Sequence, residues 1–347
     1  MEFDIQIAHN TKDIGKEAWN YLGQSQPFAS YHWYRFGETV LSDNMPVYIV
    51  LSQQGEPVAR GTFWLRKHEQ LPVSSKIVRY LIEVLLRHRP LLVCRAPLVD
   101  TAGLILPEEQ LLREAALEII ALVAREQAQQ LGASFLIFDY LGEKAAKYAG
   151  WPKPFEAATL SDPGTYMTIT WKDFDSYLNH LSRKSRKHYR QNCRYAAELG
   201  IEITLQSEVT DIDRTITLTR NVEKKHHSAP YPWTERLLEN AGMVDATWIA
   251  ARVGDRLVGS ELVMSDAGVY CVKALGLDYD FPYVYFVLGY ADIRYAIEKG
   301  ARILRWGSGV YDTKRRLGFQ LENNTYTVFV GNGPLLQKLG CWTAKMV

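Results

Sequence analysis

The chain repeats itself, and that repetition limits its folds more than any other feature. VYIVLSQQGEPVARGTFWL (Val47 to Leu65) and TWIAARVGDRLVGSELVM (Thr247 to Met264) each alternate apolar and polar residues around a glycine-containing turn. Both read as β-hairpins. Setting Gly55 against Gly254 pairs Val58 with Leu257 and Ala59 with Val258. Further on, EAALEIIALVAREQAQQLGASFLIFDYLG and VLGYADIRYAIEKGARILRWGSG each read as a helix, a glycine and a strand. Ala128 lies four residues before Gly132, as Ala296 lies four before Gly300. A glycine there stops a helix in the left-handed conformation, and the apolar runs that follow suit buried strands. Hairpin, helix and strand in one order, twice, predict an α/β chain with mixed sheets, built by duplication.

The hairpins are 199 residues apart and the helix ends 168, so the first half is expected to carry an inserted segment, about 66–107. The halves are placed at 1–158 and 159–347, with the break in WPKPFEAATLSDPG, where Pro and Gly interrupt regular structure. A length of 347 residues agrees with two domains. Formal net charge is +1, too weak a field to steer a polyanion; anion binding must come from local clusters, and DNA is not an expected partner.

Cys94, Cys193, Cys271 and Cys341 are far apart and form no C-x-x-C pair. They suggest neither a zinc site nor a disulfide framework and fit a reducing, cytoplasmic location. MEFDIQIAHNTKDIG has no basic region leading into an apolar one, so no secretory signal is read there. The stretch Ile77 to Val93 carries Arg79, Glu83, Arg87, Arg89 and Pro90, too many for a membrane span. An amphipathic helix packed on the protein is expected, with peripheral membrane contact as the alternative.

Three segments carry candidate chemistry. A helix is expected from Phe174 to Leu199, capped by Asp173 and ended by Gly200. Arg183, Arg186, Lys187, Arg190 and Arg194 fall on one stripe of it. Like charges at that spacing repel, so the stripe reads either as a phosphate-binding face or as a solvated surface paired with acids elsewhere. The second segment is GSGVYDTKRRLGF, directly after the last repeat strand. Gly307 and Gly309 permit close approach of backbone to a ligand. Tyr311 and Lys314 can donate to a developing anion, and Arg315 and Arg316 add positive charge. A plain surface turn is the alternative.

The third segment is Asp278 to Gly300, with Tyr283, Tyr285 and Tyr290 near the start of a helix whose amides form a candidate oxyanion site. These tyrosines read equally well as core. His226 and His227 near Glu223 are not expected to hold a metal, and no G-x-S-x-G, Walker A or H-E-x-x-H motif is present.

YLNHLSRKSRKHYRQNCRYAAELGIEI, followed by GYADIRYAIEKGARILRWGSGVYDTKRRLGF, resembles the Fem-like and BioF-type acetyltransferase-domain branch of the GNAT superfamily. The resemblance covers Thr165 to Phe319 and, more loosely, PFASYHWYRFGE and the first hairpin. It implies two tandem GNAT-like domains with a shared cleft, and an acyltransferase that moves an acyl group from acyl-CoA to an amine. The alternatives are a Fem-type aminoacyltransferase with aminoacyl-tRNA as donor, and a non-catalytic ligand-binding scaffold. Acyl-CoA or aminoacyl-tRNA would then be a co-substrate rather than a tightly bound cofactor, and the acceptor a small-molecule or nucleotide-linked amine. Lys314 looks like the lysine that Fem-type enzymes carry at the reaction centre, and the glycines of the usual CoA pyrophosphate loop are missing from the turn that leads into the Tyr283–Tyr290 helix. In such a transfer Lys314 and amides near Tyr285 would stabilise the oxyanion. Asp278, Asp280 and Glu261 are the candidate bases.

Overall fold

A computed structural model describes residues 2–23, 26–69, 80, 84, 86–148 and 150–344. They divide into two compact units, 1–163 with 323–347, and 164–322. The chain therefore leaves the first unit at Pro163 and returns to it at Asn323. Residues 323–347, expected with the second half, belong to the first.

The first unit holds β1 (Asp4–Ala8), β2 (Met45–Gln53), β3 (Glu56–Arg66), β4 (Leu91–Cys94), β5 (Leu104–Ile105), β6 (Phe135–Leu141) and β7 (Glu156–Thr159). The second holds β8 (Thr165–Thr168), β9 (Ile201–Gln206), β10 (Asp245–Val253), β11 (Arg256–Asp266), β12 (Val269–Leu277), β13 (Ile303–Trp306) and β14 (Gln320–Leu321), and β15 (Tyr326–Gly331) completes the first. The first sheet runs β1-β2-β3-β4-β6-β15-β7, with β5 on β3; the second runs β14-β8-β13-β12-β11-β10-β9. Among the described residues each sheet has one parallel pair, β4 with β6 and β12 with β13. Parallel neighbours need a crossover, and a helix supplies it in each unit: α1 (Gln110–Gln130) in the first. In the second, α2 (Phe174–His180), α3 (Arg183–Glu198) and α4 (Ile212–Lys225) precede the crossover helix α5 (Val284–Glu298), which is followed by α6 (Tyr311–Arg316). Last comes α7 (Pro334–Ala344), after β15.

The duplication holds to the level of single hydrogen bonds. Gly132 and Gly300 end α1 and α5 with φ of 67° and 66°. In each case the next amide reaches back to the matched alanine, Ala133 N–H to Ala128 O and Ala301 N–H to Ala296 O, both at 2.9 Å. The hairpins share a β-bulge as well. Leu51 faces Ala59 and Ser52 faces Pro57, while Ala251 faces Gly259 and Arg252 faces Leu257. That register makes Ala59 the counterpart of Gly259 and Gly55 of Asp255, one residue away from the pairing read in the sequence. The turns differ: Gln54 and Gly55 both take positive φ, whereas in the second hairpin Gly254 alone does.

The extra length of the first half is also placed differently. It is not one block at 66–107, because β4 lies inside that range and is the counterpart of β12. Residues 67–90 join β3 to β4 where the two-residue turn Ala267–Gly268 joins β11 to β12. Within the stretch Ile77 to Val93, residues 77–79, 81–83 and 85 lie outside the described residues; residues 86–88 are helical and Leu91 to Val93 are buried in β4. No helix among the described residues is long and apolar enough to cross a membrane.

Each core lies between a sheet and its crossover helix. Val47, Ile49, Phe63, Ile120, Ala124 and Phe138 pack together in the first unit. Ile249, Val263, Val284, Leu288, Ile293 and Leu304 do so in the second.

Candidate functional site

The basic segment is two helices rather than one. Asp173 caps α2, accepting from the Ser176 amide at 2.7 Å, but Leu181 is extended and Ser182 starts α3 by accepting from the Ser185 amide at 3.1 Å. The hydroxyl–amide bond of a second N-cap overrides the continuous apolar periodicity. Gly200 ends α3 with φ of 68°.

This break separates the five stripe residues by role. Arg186 donates to the Asn179 and Leu181 carbonyls at 3.1 and 2.5 Å, so it closes the C-terminal end of α2. Arg194 sits 3.5 Å from Glu198 and over the Tyr195 ring. Arg183, Lys187 and Arg190 are exposed and form no ion pair among the described residues. The first turn of α3 contains no acid. Cations there oppose the helix dipole, which favours negative charge at that end.

Beyond β13 the chain forms the loop Gly307–Gly309. Gly309 has φ of 80°, and Val310 follows at 49°. A β-branched residue in the left-handed region is strained, and strain of this kind persists where surrounding structure enforces it. Lys314, on α6 and 5% exposed, provides one enforcing contact: its Nζ donates to the Gly307 and Ser308 carbonyls. Tyr311 is half-buried at the start of α6, and Arg315 is exposed, 3.5 Å from Asp312. Helix α6 lies against the basic helix. Ser185 Oγ donates to the Arg316 carbonyl at 3.2 Å, and Tyr177 donates to that of Leu317 at 2.9 Å. Burial and then the Arg316 charge hold the His188 imidazole below its usual pKa. The lysine helix and the start of the cationic face are thus neighbours in one unit.

The turn before α5 holds acids where a pyrophosphate loop would hold glycines. Asp278 accepts from Arg214 at 2.8 Å and Arg256 at 2.7 Å. Burial acts to raise its carboxyl, but hydrogen bonds from Arg256 and the Asp280 amide, with the two guanidinium charges, outweigh it and hold the pKa below the usual range. A carboxylate kept ionised in this way is a poor proton acceptor, which argues against the base role read for Asp278 in the sequence. At the helix start, the Val284 and Phe286 amides bond to Phe281 and Tyr283 carbonyls, while the Tyr285 amide has no partner among the described residues.

Glu261, on β11, has opposite properties. It is 3% exposed, its Oε1 has no hydrogen-bond partner, and burial pushes its pKa up to about 8. Asp292, on α5, is fully buried and was not singled out in the sequence. Its Oδ2 accepts from Trp306 Nε1 at 2.7 Å and its Oδ1 has no partner. Burial, then the Glu261 charge, holds Asp292 well above the usual carboxylate range. Tyr285, two helical turns earlier on the same face of α5, is raised by burial and by both acids. Trp306 ends β13, stacks on Phe319 with centroids 4.3 Å apart, and precedes the Gly307–Gly309 loop. The sequence signal for Asp292 is an acid in the middle of the apolar helix VYFVLGYADIRYAIE, eight residues before Gly300; the other acid, Glu298, is exposed in the last turn.

Among the described residues no group of His, Cys, Asp and Glu is arranged to hold a metal ion. The family model described as FemAB-like, peptidoglycan biosynthesis/recognition, matches residues 10–343. No curated protein matches the sequence. The fold is similar to the crystal structure of FemX, at 12% identity over 96% of this chain and 99% of that one, with a TM-score of 0.62. A tandem GNAT protein from the clavulanic acid biosynthesis pathway gives 13%, 96%, 99% and 0.58. The C-terminal domain of a putative lysylphosphatidylglycerol synthetase from Agrobacterium fabrum gives 14%, 97%, 97% and 0.54. At such identities the likeness shows the fold, a tandem pair of GNAT-like units.

Proposed function

Because the chain belongs to the FemAB-like family, we propose that it is an N-aminoacyltransferase, carrying an amino acid from aminoacyl-tRNA to a primary amine on a cell-wall precursor. The observation that carries this reading is the α3 face. Arg183, Lys187 and Arg190 are exposed without an acidic partner among the described residues and begin at a helix N-terminus. A polyphosphate would relieve their mutual repulsion. Acyl-CoA is the less suited donor, since the turn before α5 offers Asp278 and Asp280 rather than glycine amides to a pyrophosphate.

In this reading the amine attacks the ester carbonyl of the donor. The oxyanion develops near the Tyr285 amide and the Lys314 charge, both at the carboxyl ends of strands, where α/β folds bind ligands. Lys314 also holds the Gly307 and Ser308 carbonyls, so it fixes the loop beside which the donor lies.

Radiolabelled aminoacyl-tRNA, labelled acyl-CoA and a pool of amine acceptors form the test. Transfer from the tRNA donor, abolished by ribonuclease, is expected. Changing Arg183, Lys187 and Arg190 together to Ala should reduce the slope of log affinity for tRNA against log salt by about 2. Transfer from acyl-CoA alone, with an unchanged slope, would overturn the choice of donor.

A further inference from the structure

The two units provide an internal control, because the same scaffold occurs twice with different residues at its centre. Gly61 is the sixth residue of β3 and faces Ile49; Glu261 is the sixth of β11 and faces Ile249. Ala124 lies eight residues before Gly132, as Asp292 lies eight before Gly300. Phe138 and Trp306 each lie six residues after those glycines. A Cβ on Gly61 would meet Ile120 Cγ2 at 2.7 Å, so its face of β3 abuts the crossover helix α1. A Cβ on Gly259, two residues before Glu261 and so on the same face of β11, would meet Val284 and Leu288 of α5. The fold therefore closes around Gly, Ala and Phe in one unit and around Glu, Asp and Trp in the other. Packing does not require the acids.

We infer that Glu261 and Asp292 form a buried proton-accepting pair for the transfer reaction, with Glu261 taking the acceptor's proton and Asp292 positioning it; this rests on the reading given under Proposed function. Each acid has one oxygen without a hydrogen-bond partner although its side chain is buried. Two carboxyl groups that feel each other's charge in such surroundings keep at least one proton between them. Opposite Glu261 the pairing of β11 with β12 is irregular. Ser260 faces Gly276 and Leu262 faces Lys273, so Ala274 and Leu275 bulge against it, and Ala274 takes φ of 51°. Bulges of this kind redirect side chains beside active sites.

The groups facing Glu261 are few. From α5 they are Asp292 and Tyr285, both of which feel its charge; β10 offers Ile249 and the bulge offers Ala274 and Leu275. Asp292 also meets the Trp306 N–H, which donates to it at 2.7 Å, and the backbone amide of Ile293. No described cation contributes to the Glu261 shift, which comes from burial.

The step balances. The amine nitrogen bonds to the ester carbonyl carbon and gives one proton to the Glu261 carboxylate. The carbon–oxygen ester bond then breaks, and the same proton passes to the departing ribose oxygen. The products are an amide and a free hydroxyl, with no other reactant consumed.

The test uses Glu261→Gln and Asp292→Asn in the full chain. Each keeps its shape and mimics the protonated acid, so both should fold, which circular dichroism checks. Wild-type kcat/KM should rise with pH through an apparent pKa near 8. E261Q should lose at least about 100-fold in kcat/KM, with filter retention of aminoacyl-tRNA unchanged. D292N should keep the rising limb near 8, because Asn is as neutral as the protonated Asp292 that faces Glu261 when it ionises, and should lower kcat with retention of aminoacyl-tRNA unchanged, because Asn takes the acid's place without its O–H. Wild-type turnover in E261Q, or a limb in D292N displaced well below 8, would overturn the inference. Difference infrared spectra at pH 6 supply a readout that needs no substrate: wild type should show a protonated carboxyl stretch that each variant reduces. That band with no transfer from any donor would count against the proposed function and leave the shared proton standing; its absence would count against the pair itself.

Discussion

In the first unit buried charge is met by partners, as where Arg60 donates to the Trp19 and Ala29 carbonyls and lies over the Trp19 ring, whereas in the second two acids enter the core without a cation among the described residues. Phe138, near the end of β6, packs among Phe63, Trp151 and Phe155, and the next residue, Asp139, pairs with Arg95 just beyond β4. Glu69 joins from the far end of β3, 3.2 Å from Arg95 and 3.1 Å from Arg66. The first unit thus closes the ends of its parallel strands with a paired ionic network over an apolar core. In the second, Trp306 opens into glycines, and two acids lie beneath it without cationic partners among the described residues. A duplicated scaffold can keep one copy for stability while the other accepts the cost of burying polar groups.

Transplanting the acid into the first unit should have the largest effect. Gly61→Glu would force side-chain atoms into Ile120 and Phe63 and bury a carboxyl among apolar groups; a loss of about 4 kcal/mol is expected, read from the urea midpoint. A loss under about 1 kcal/mol would mean that the two centres are interchangeable. Trp306→Phe installs the first unit's ring in the second. It removes the N–H that Asp292 accepts, at about 2 kcal/mol, and should affect stability much less when Asp292→Ala, which leaves no acceptor, is already present. The smallest effect concerns the hairpins. Gln54, with φ of 53°, should give way to Asn with a gain of about 0.5 kcal/mol in thermal unfolding, since Asn tolerates that conformation better.

Much of this architecture is legible in the sequence: two hairpins, two crossover helices ended by glycine, and a cationic helix running into a glycine–lysine segment. What was lost follows from single residues. Matching the turn glycines, rather than the residues around the bulge, set Ala59 against Val258 and so Thr62 against Glu261. A shift of one residue along a strand exchanges its faces. That slip set a polar residue beside a polar one and hid the contrast between Gly61 and Glu261. Asp292 escaped because apolar neighbours on α5 dominate its pattern. The second helix start at Ser182 escaped because two short helices in tandem share the periodicity of one long helix. The return of the chain to the first unit could not be read, since strand order in a sheet depends on contacts far apart in sequence.

That return has a consequence for synthesis. Strand β15 lies between β6 and β7 in the first sheet, so as the polypeptide emerges β6 lacks a neighbour until residues 326–331 appear. The second unit is one uninterrupted stretch, 164–322, and is fully translated before its predecessor can be completed. The half that is made first finishes folding last, and during that interval an unpaired strand edge is open to chaperones and to stray association.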